Sequence, residues 1–163
     1  MKQLLITIAA LVLVGCGESQ QSAPSVESPN AKSQLLDGVD LKKKDEWGET
    51  FLHREAKRGS IEDVEAAIAK GADVNTRDNF GYTPLHAVAS ESGRSARFVK
   101  MAELLIAAGA DVNAITDEGD SVLDWNYAEE SRREPKKKLG VQFGTLLRKH
   151  GAKSAEELKA EGK

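Results

Sequence analysis

Residues 81–89 read GYTPLHAVA and residues 101–114 read MAELLIAAGADVNA. Thr83 is a good N-cap, Pro84 suits the first helical position because its missing N–H has no partner there anyway, and Leu85 begins a buried face. Val99, Leu104, Leu105 and Ala108 fall on a helical period, and Gly109 after them supplies a left-handed stop. Asp111 and Asn113 then offer short polar side chains that bond nearby backbone groups in a turn. Two short helices and a turn are therefore expected between residues 83 and 114.

Working outward, a lag of 33 residues brings the chain onto itself. Gly38, Gly48, Thr50, Leu52 and His53 recur as Gly71, Gly81, Thr83, Leu85 and His86. Ala56 recurs as Ala89 and Asp40 as Asp73. With insertions the pattern continues into GADVN at Gly109 to Asn113 and into Gly119-Asp120-Ser121-Val122-Leu123. A fixed period of this length marks a repeat architecture in which neighbours stack to bury a continuous core. Helices are expected at about Thr50 to Arg58 and Ile61 to Lys70, Thr83 to Ser90 and Arg97 to Ala108, and Ser121 to Glu130 and Leu139 to His150. Ser154-Ala155-Glu156-Glu157 is a capping-box pattern that starts a short polar terminal helix.

With TPLH at Thr83 to His86, the second copy resembles the ankyrin repeat. The resemblance covers about Leu35 to Lys153. It implies an all-α repeat solenoid, an ankyrin-type helix-turn-helix stack with hairpin-like fingers, of about three repeats plus a partial N-terminal cap. Residues 31–153 form this domain, with the cap at 31–47, repeats at about 48–80, 81–118 and 119–153, and a polar C-terminal helix and tail at 154–163. The repeat motif is carried by Thr50, Leu52, His53, Gly71, Thr83, Pro84, Leu85, His86 and Gly109. The third copy departs from it: Val122 stands at the proline position and Asp124 at the histidine position. The spacing between fingers also lengthens, with extra residues near Glu91 to Ala96 and Glu130 to Lys138.

The chain begins MKQLLITIAALVLVGCGES. A positive Lys2, an apolar run from Leu4 to Val14 and small residues after it are the anatomy of a secretory signal. The run is shorter than the ~20 residues a helix needs to cross the hydrocarbon core. Leu13-Val14-Gly15-Cys16 resembles the lipobox of bacterial lipoproteins, which implies a signal peptide at 1–15 and lipidation of Cys16; an ordinary signal peptide with an incidental cysteine is the alternative. Gly17 after the cysteine leans toward the outer membrane, on its periplasmic face. Residues 16–30, with GESQQSAPSVESPN after the cysteine, are rich in Ser, Gln, Pro and Glu and read as a disordered tether; packing as an N-terminal arm is the alternative.

Of the 163 residues, 40% are hydrophobic and 30% charged, and the formal net charge is −3. That composition fits a folded domain with no overall basic footprint, so nucleic acid is not an expected partner. A lone cysteine excludes an internal disulfide or a cysteine zinc cluster. No phosphate-binding glycine loop, nucleophile elbow or HExxH motif is present, and neither a cofactor, a metal nor a small-molecule substrate is expected. His53 and His86, 33 residues apart, occupy the family position that braces adjoining repeats; a catalytic or metal role is the alternative. Asp117, Glu118, Asp120 and Asp124 lack the spacing of a calcium loop.

Surface recognition remains. In ankyrin-repeat proteins partners bind the fingertips and the concave face, which carries over to Trp47, Arg54, Phe80, Tyr82, Ala87, Trp125 and Asn126. Trp47 and Phe80 share one repeat position and with Tyr82 form either an aromatic strip for a partner or local packing between fingers. The segment EESRREPKKKLG, with Arg132, Arg133, Lys136, Lys137 and Lys138, is either a docking loop for an acidic surface or a solvated edge. The expected function is a membrane-anchored scaffold or adaptor that binds another envelope protein and is not an enzyme. The alternatives are an accessory or inhibitory subunit of an envelope enzyme and a metal-dependent hydrolase built on the acidic cluster.

Overall fold

The structure, a computed structural model, describes residues 36–126 and 137–162. The leader, Cys16, the tether and Arg132, Arg133 and Lys136 of the basic insert lie outside the described residues. Helix α1 spans Phe51–Arg58, α2 Ile61–Ala69, α3 Pro84–Glu91, α4 Ala96–Ala107, α5 Lys137–Lys149 and α6 Ala155–Ala160. A further helical segment covers 122–126. Among the described residues the only strand-like pairing is an isolated bridge between Ile115 and Ser121.

The stack is an ankyrin-type solenoid. An inner row is formed by α1, α3 and the 122–126 helix, and an outer row by α2, α4 and α5; α1 packs on α3, α2 on α4, and α4 on α5. Leu52, Leu85 and Leu123 hold the same place in successive inner helices and are each at most 1% exposed. In the outer row Ala67, Leu105 and Leu147 are likewise equivalent and fully buried. Each repeat thus contributes one face to a core that no single repeat closes alone.

Helix starts follow from short polar side chains. The Thr50 N–H donates to His53 Nδ1 at 3.2 Å, and Thr83 repeats the bond to His86 Nδ1 at 3.2 Å. The third repeat keeps the device with different atoms: Ser121 donates to Asp124 Oδ2 from its N–H at 3.0 Å and from its hydroxyl at 2.7 Å. Asp124 therefore does in its repeat what the histidines do in theirs, and the expected register holds. Outer helices stop alike. Gly71, Gly109 and Gly151 adopt φ of 83°, 93° and 86°, which lets the following N–H groups return to the last carbonyls.

The fingers are tied by an asparagine ladder. Asn75 donates to the Gly109 carbonyl at 3.0 Å while its Oδ1 accepts from the Asp111 N–H at 2.8 Å. Asn113 repeats the pair one finger on, to Gly151 at 3.2 Å and from Lys153 at 2.9 Å. At the C-terminal end Ser154 and Glu157 form the expected capping box, and α6 buries Leu158 at 1% exposure.

The described helix ends fall within two residues of the expected ones, and two of the differences change the reading. Helix α5 begins at Lys137 rather than Leu139, so Lys137 and Lys138 are helical and not part of an insert loop. Helix α3 runs on through Glu91, where Arg94 Nε pairs with its carboxylate at 2.6 Å, and leaves a shorter connection to α4.

Candidate functional site

The inner row and the fingers enclose an open groove of about 520 Å³. Trp47 and Phe80 stand at the tips of the first two fingers, 61% and 51% exposed. Their backbones explain why they stay there. Asp45 Oδ1 accepts from the Trp47 and Glu49 N–H groups, and Asp78 Oδ1 accepts from Phe80 and Tyr82, so each tip is a closed turn around one carboxylate. The Trp47 carbonyl then accepts from the Asn79 N–H and the Phe80 carbonyl from the Asp117 N–H, both at 3.0 Å. The main chain locks finger to finger while the two rings face outward.

Behind the tips Tyr82 is half-buried and stacks edge-on against Trp125, ring centres 5.3 Å apart, and lies 6.5 Å from Phe80. Ala87 occupies the inner-helix position between Arg54 and Trp125, and its small side chain keeps the groove open. Glu49, Lys57, Asp78 and Ser90 add polar edges, with Lys57 paired to Glu49 at 3.4 Å. The sequence reading did not single out these four; a residue beside a tip carries no motif of its own.

The expected contact residues divide. Trp47, Phe80, Tyr82, Ala87 and Trp125 line the groove. Arg54 is exposed outside it, 3.8 Å from the Asp45 carboxylate. Asn126 is corrected from a contact to a brace: it is fully buried, accepts from the Ser92 hydroxyl at 3.2 Å and donates to the Gly140 carbonyl at 3.2 Å. The side chain is there because Gly144 leaves room, an added Cβ lying 3.3 Å from the Asn126 amide.

The two histidines edge the groove from below and are 1% exposed. With Nδ1 accepting at the cap, the neutral ring carries its proton on Nε2. His53 Nε2 donates to the Tyr82 carbonyl at 3.0 Å and so joins two repeats. His86 Nε2 has no well-formed bond, although the Asp120 and Ala114 carbonyls act on it. Burial lowers both, His86 to about 4, so both are neutral at pH 7. Tyr82 is held above its ordinary value by burial and then by the carboxylates of Glu118, Asp120 and Asp78. These are settings for structural imidazoles and a hydrogen-bonding phenol: the Thr50 and Thr83 hydroxyls that lie 2.9 Å from the His53 and His86 Nδ1 atoms are buried within the helix caps. Asp117 is taken up by Arg77 at 2.9 Å and Asp124 by its cap. Among the described residues no three His, Cys, Asp or Glu side chains gather as a metal-ligand set.

A shallow aromatic groove on a rigid helical stack defines a repeat-built binding module. A family model of ankyrin repeats in three copies matches residues 23–116, starting inside the stretch read as a tether and ending before the third helix pair. The chain belongs to the ankyrin-repeat family, and it is a protein-interaction module. It is similar to protein phosphatase 1 regulatory subunit 27 of Homo sapiens, 35% identical over 85 residues, which cover 50% of this chain and 52% of the relative. The Mus musculus protein of that name is 37% identical over 73 residues, 45% of this chain and 44% of the relative. The chain spans about half the length of the curated relatives it matches.

Proposed function

We propose that the chain is a lipid-anchored adaptor of the bacterial cell envelope that captures another envelope protein in its aromatic groove. The observation that carries the binding half is the pair Trp47 and Phe80, two large rings held outward at 61% and 51% exposure by a backbone that is itself fully bonded. Large rigid rings beside a groove give contact area at little entropic cost, and such residues dominate interface energetics. The anchoring half rests on the leader at 1–15 and the lipobox ending at Cys16, with 16–30 as the tether and the outer membrane as the favoured site. No cofactor, metal, nucleic acid or small-molecule substrate enters this role.

Crosslinking in intact cells tests the binding half. The natural chain is expected to capture one envelope protein that a folded Trp47→Ala, Phe80→Ala, Tyr82→Ala variant loses; capture of the same set by both removes the groove from the mechanism. For the anchor, Cys16→Ser is expected to leave the detergent phase for the aqueous phase. Continued partition with membranes overturns the lipid assignment.

A second reading, an accessory or inhibitory subunit of an envelope enzyme, is favoured by the relatives, whose name is that of a phosphatase regulatory subunit. A captured enzyme whose activity changes when the chain is added distinguishes that role from passive scaffolding.

A further inference from the structure

The row of fingertips that borders the groove changes character along the stack, its third tip lying just beyond the lining residues. Read in register, the fingertip position is Trp47 in the first finger, Phe80 in the second and Glu118 in the third, and the position two residues on is Glu49, Tyr82 and Asp120. The turns confirm the correspondence: Asp45, Asp78 and Thr116 each accept the N–H four residues ahead. At the first finger Lys57 matches Glu49. At the third, Arg77 matches Asp117, whereas Glu118 and Asp120 have no ion pair among the described residues. Two aromatic tips are thus followed by a tip whose two carboxylates have no ion pair among the described residues.

We propose that the groove takes an extended peptide segment of its protein partner, with apolar side chains on Trp47 and Phe80 and a lysine or arginine at the Glu118–Asp120 end. This rests on the groove being the binding surface. Charge complementarity selects the occupant: an acidic or neutral end desolvates two carboxylates without return, whereas a cation satisfies them. Helices stacked about 8–10 Å apart and an extended chain advancing about 3.3 Å per residue set the spacing at about three residues per finger. The motif is therefore two apolar residues about three apart and a basic residue about three beyond them.

The test is selection from a random dodecapeptide library displayed on phage, against the full chain in detergent micelles. Enriched peptides are expected to carry that pattern and to lose binding about tenfold or more to Glu118→Lys, Asp120→Lys, which instead enriches acidic ends. Enrichment that depends on Trp47 and Phe80 but shows no preference for a basic end overturns this proposal and leaves the groove reading intact. Enrichment unaffected by Trp47→Ala, Phe80→Ala overturns the groove reading as well. Failure to enrich any peptide, or a self-association lost in the Trp47→Ala, Phe80→Ala variant, gives the groove a different occupant and overturns the extended basic segment.

Discussion

The carboxylate of Asp124 accepts a hydrogen bond from the backbone N–H of Ala155 at 2.8 Å, so the residue that caps the third inner helix also holds the terminal helix α6 in place. In the first repeat the equivalent side chain, His53, reaches forward to a carbonyl and must donate; here the next element offers an N–H, and only an acceptor fits.

Asp124→Ala is accordingly expected to cost about 1–2 kcal/mol, the scale of a lost helix cap. Asp124→His restores the cap on Ser121 but turns an Nε2–H toward the Ala155 N–H, two donors facing each other. Urea unfolding is expected to show no full rescue by histidine; complete rescue removes the link to α6 from the account.

The histidines predict a pH dependence. The folded pKa of His86 lies at about 4 against 6.5 in the open chain, so the unfolded state binds the proton first. Its contribution is complete above pH 6.5, is lost as pH falls from there toward 4, and amounts to about 3 kcal/mol for a shift of that size. Thermal unfolding from pH 7 to 4 is expected to fall less steeply in His86→Gln, because glutamine at this helix position keeps a cap and does not titrate. Equal slopes in the two proteins remove His86 as the cause.

Leu85 is fully buried between α3 and its neighbours. Leu85→Ala is expected to cost on the order of 2–5 kcal/mol, as core truncations do. A loss below about half a kcal/mol in chemical denaturation overturns the register of the stack.

Two glycines with similar dihedrals are expected to respond differently. Gly109, at φ 93°, has nothing within 4 Å of an added Cβ, so Gly109→Ala costs the left-handed conformation alone, about 1–2 kcal/mol. Gly81, at φ 82°, has the Asp117 backbone nitrogen 2.8 Å from that Cβ and the Arg77 side chain closer still. Its alanine variant adds overpacking of about 1–3 kcal/mol and opens the contact between second and third fingers. Similar midpoints for the two variants contradict the close approach of those fingers.

The repeat was legible because each motif residue serves a local need: Thr83 caps, Pro84 starts, Leu85 faces inward and Gly109 ends a helix, all within a few residues. The lag of 33 and the rings at Trp47, Phe80 and Tyr82 could be read the same way, and five of the seven expected contact residues line the groove. Asn126 could not. Its burial depends on Ser92, thirty-four positions earlier, and on Gly140 in a helix beyond the insert. Lys137 and Lys138 read as loop because a run of charges after a proline has no helical signature until the helix that follows is in place. The chain by itself determined the repeat, its helices and the residues at its fingertips, since these follow from backbone caps and a one-dimensional period. Only the stacking decided which polar side chains are buried, which carboxylates are matched and where the aromatic row gives way to an acidic one, because burial and ion pairing depend on neighbours that the period brings together in space.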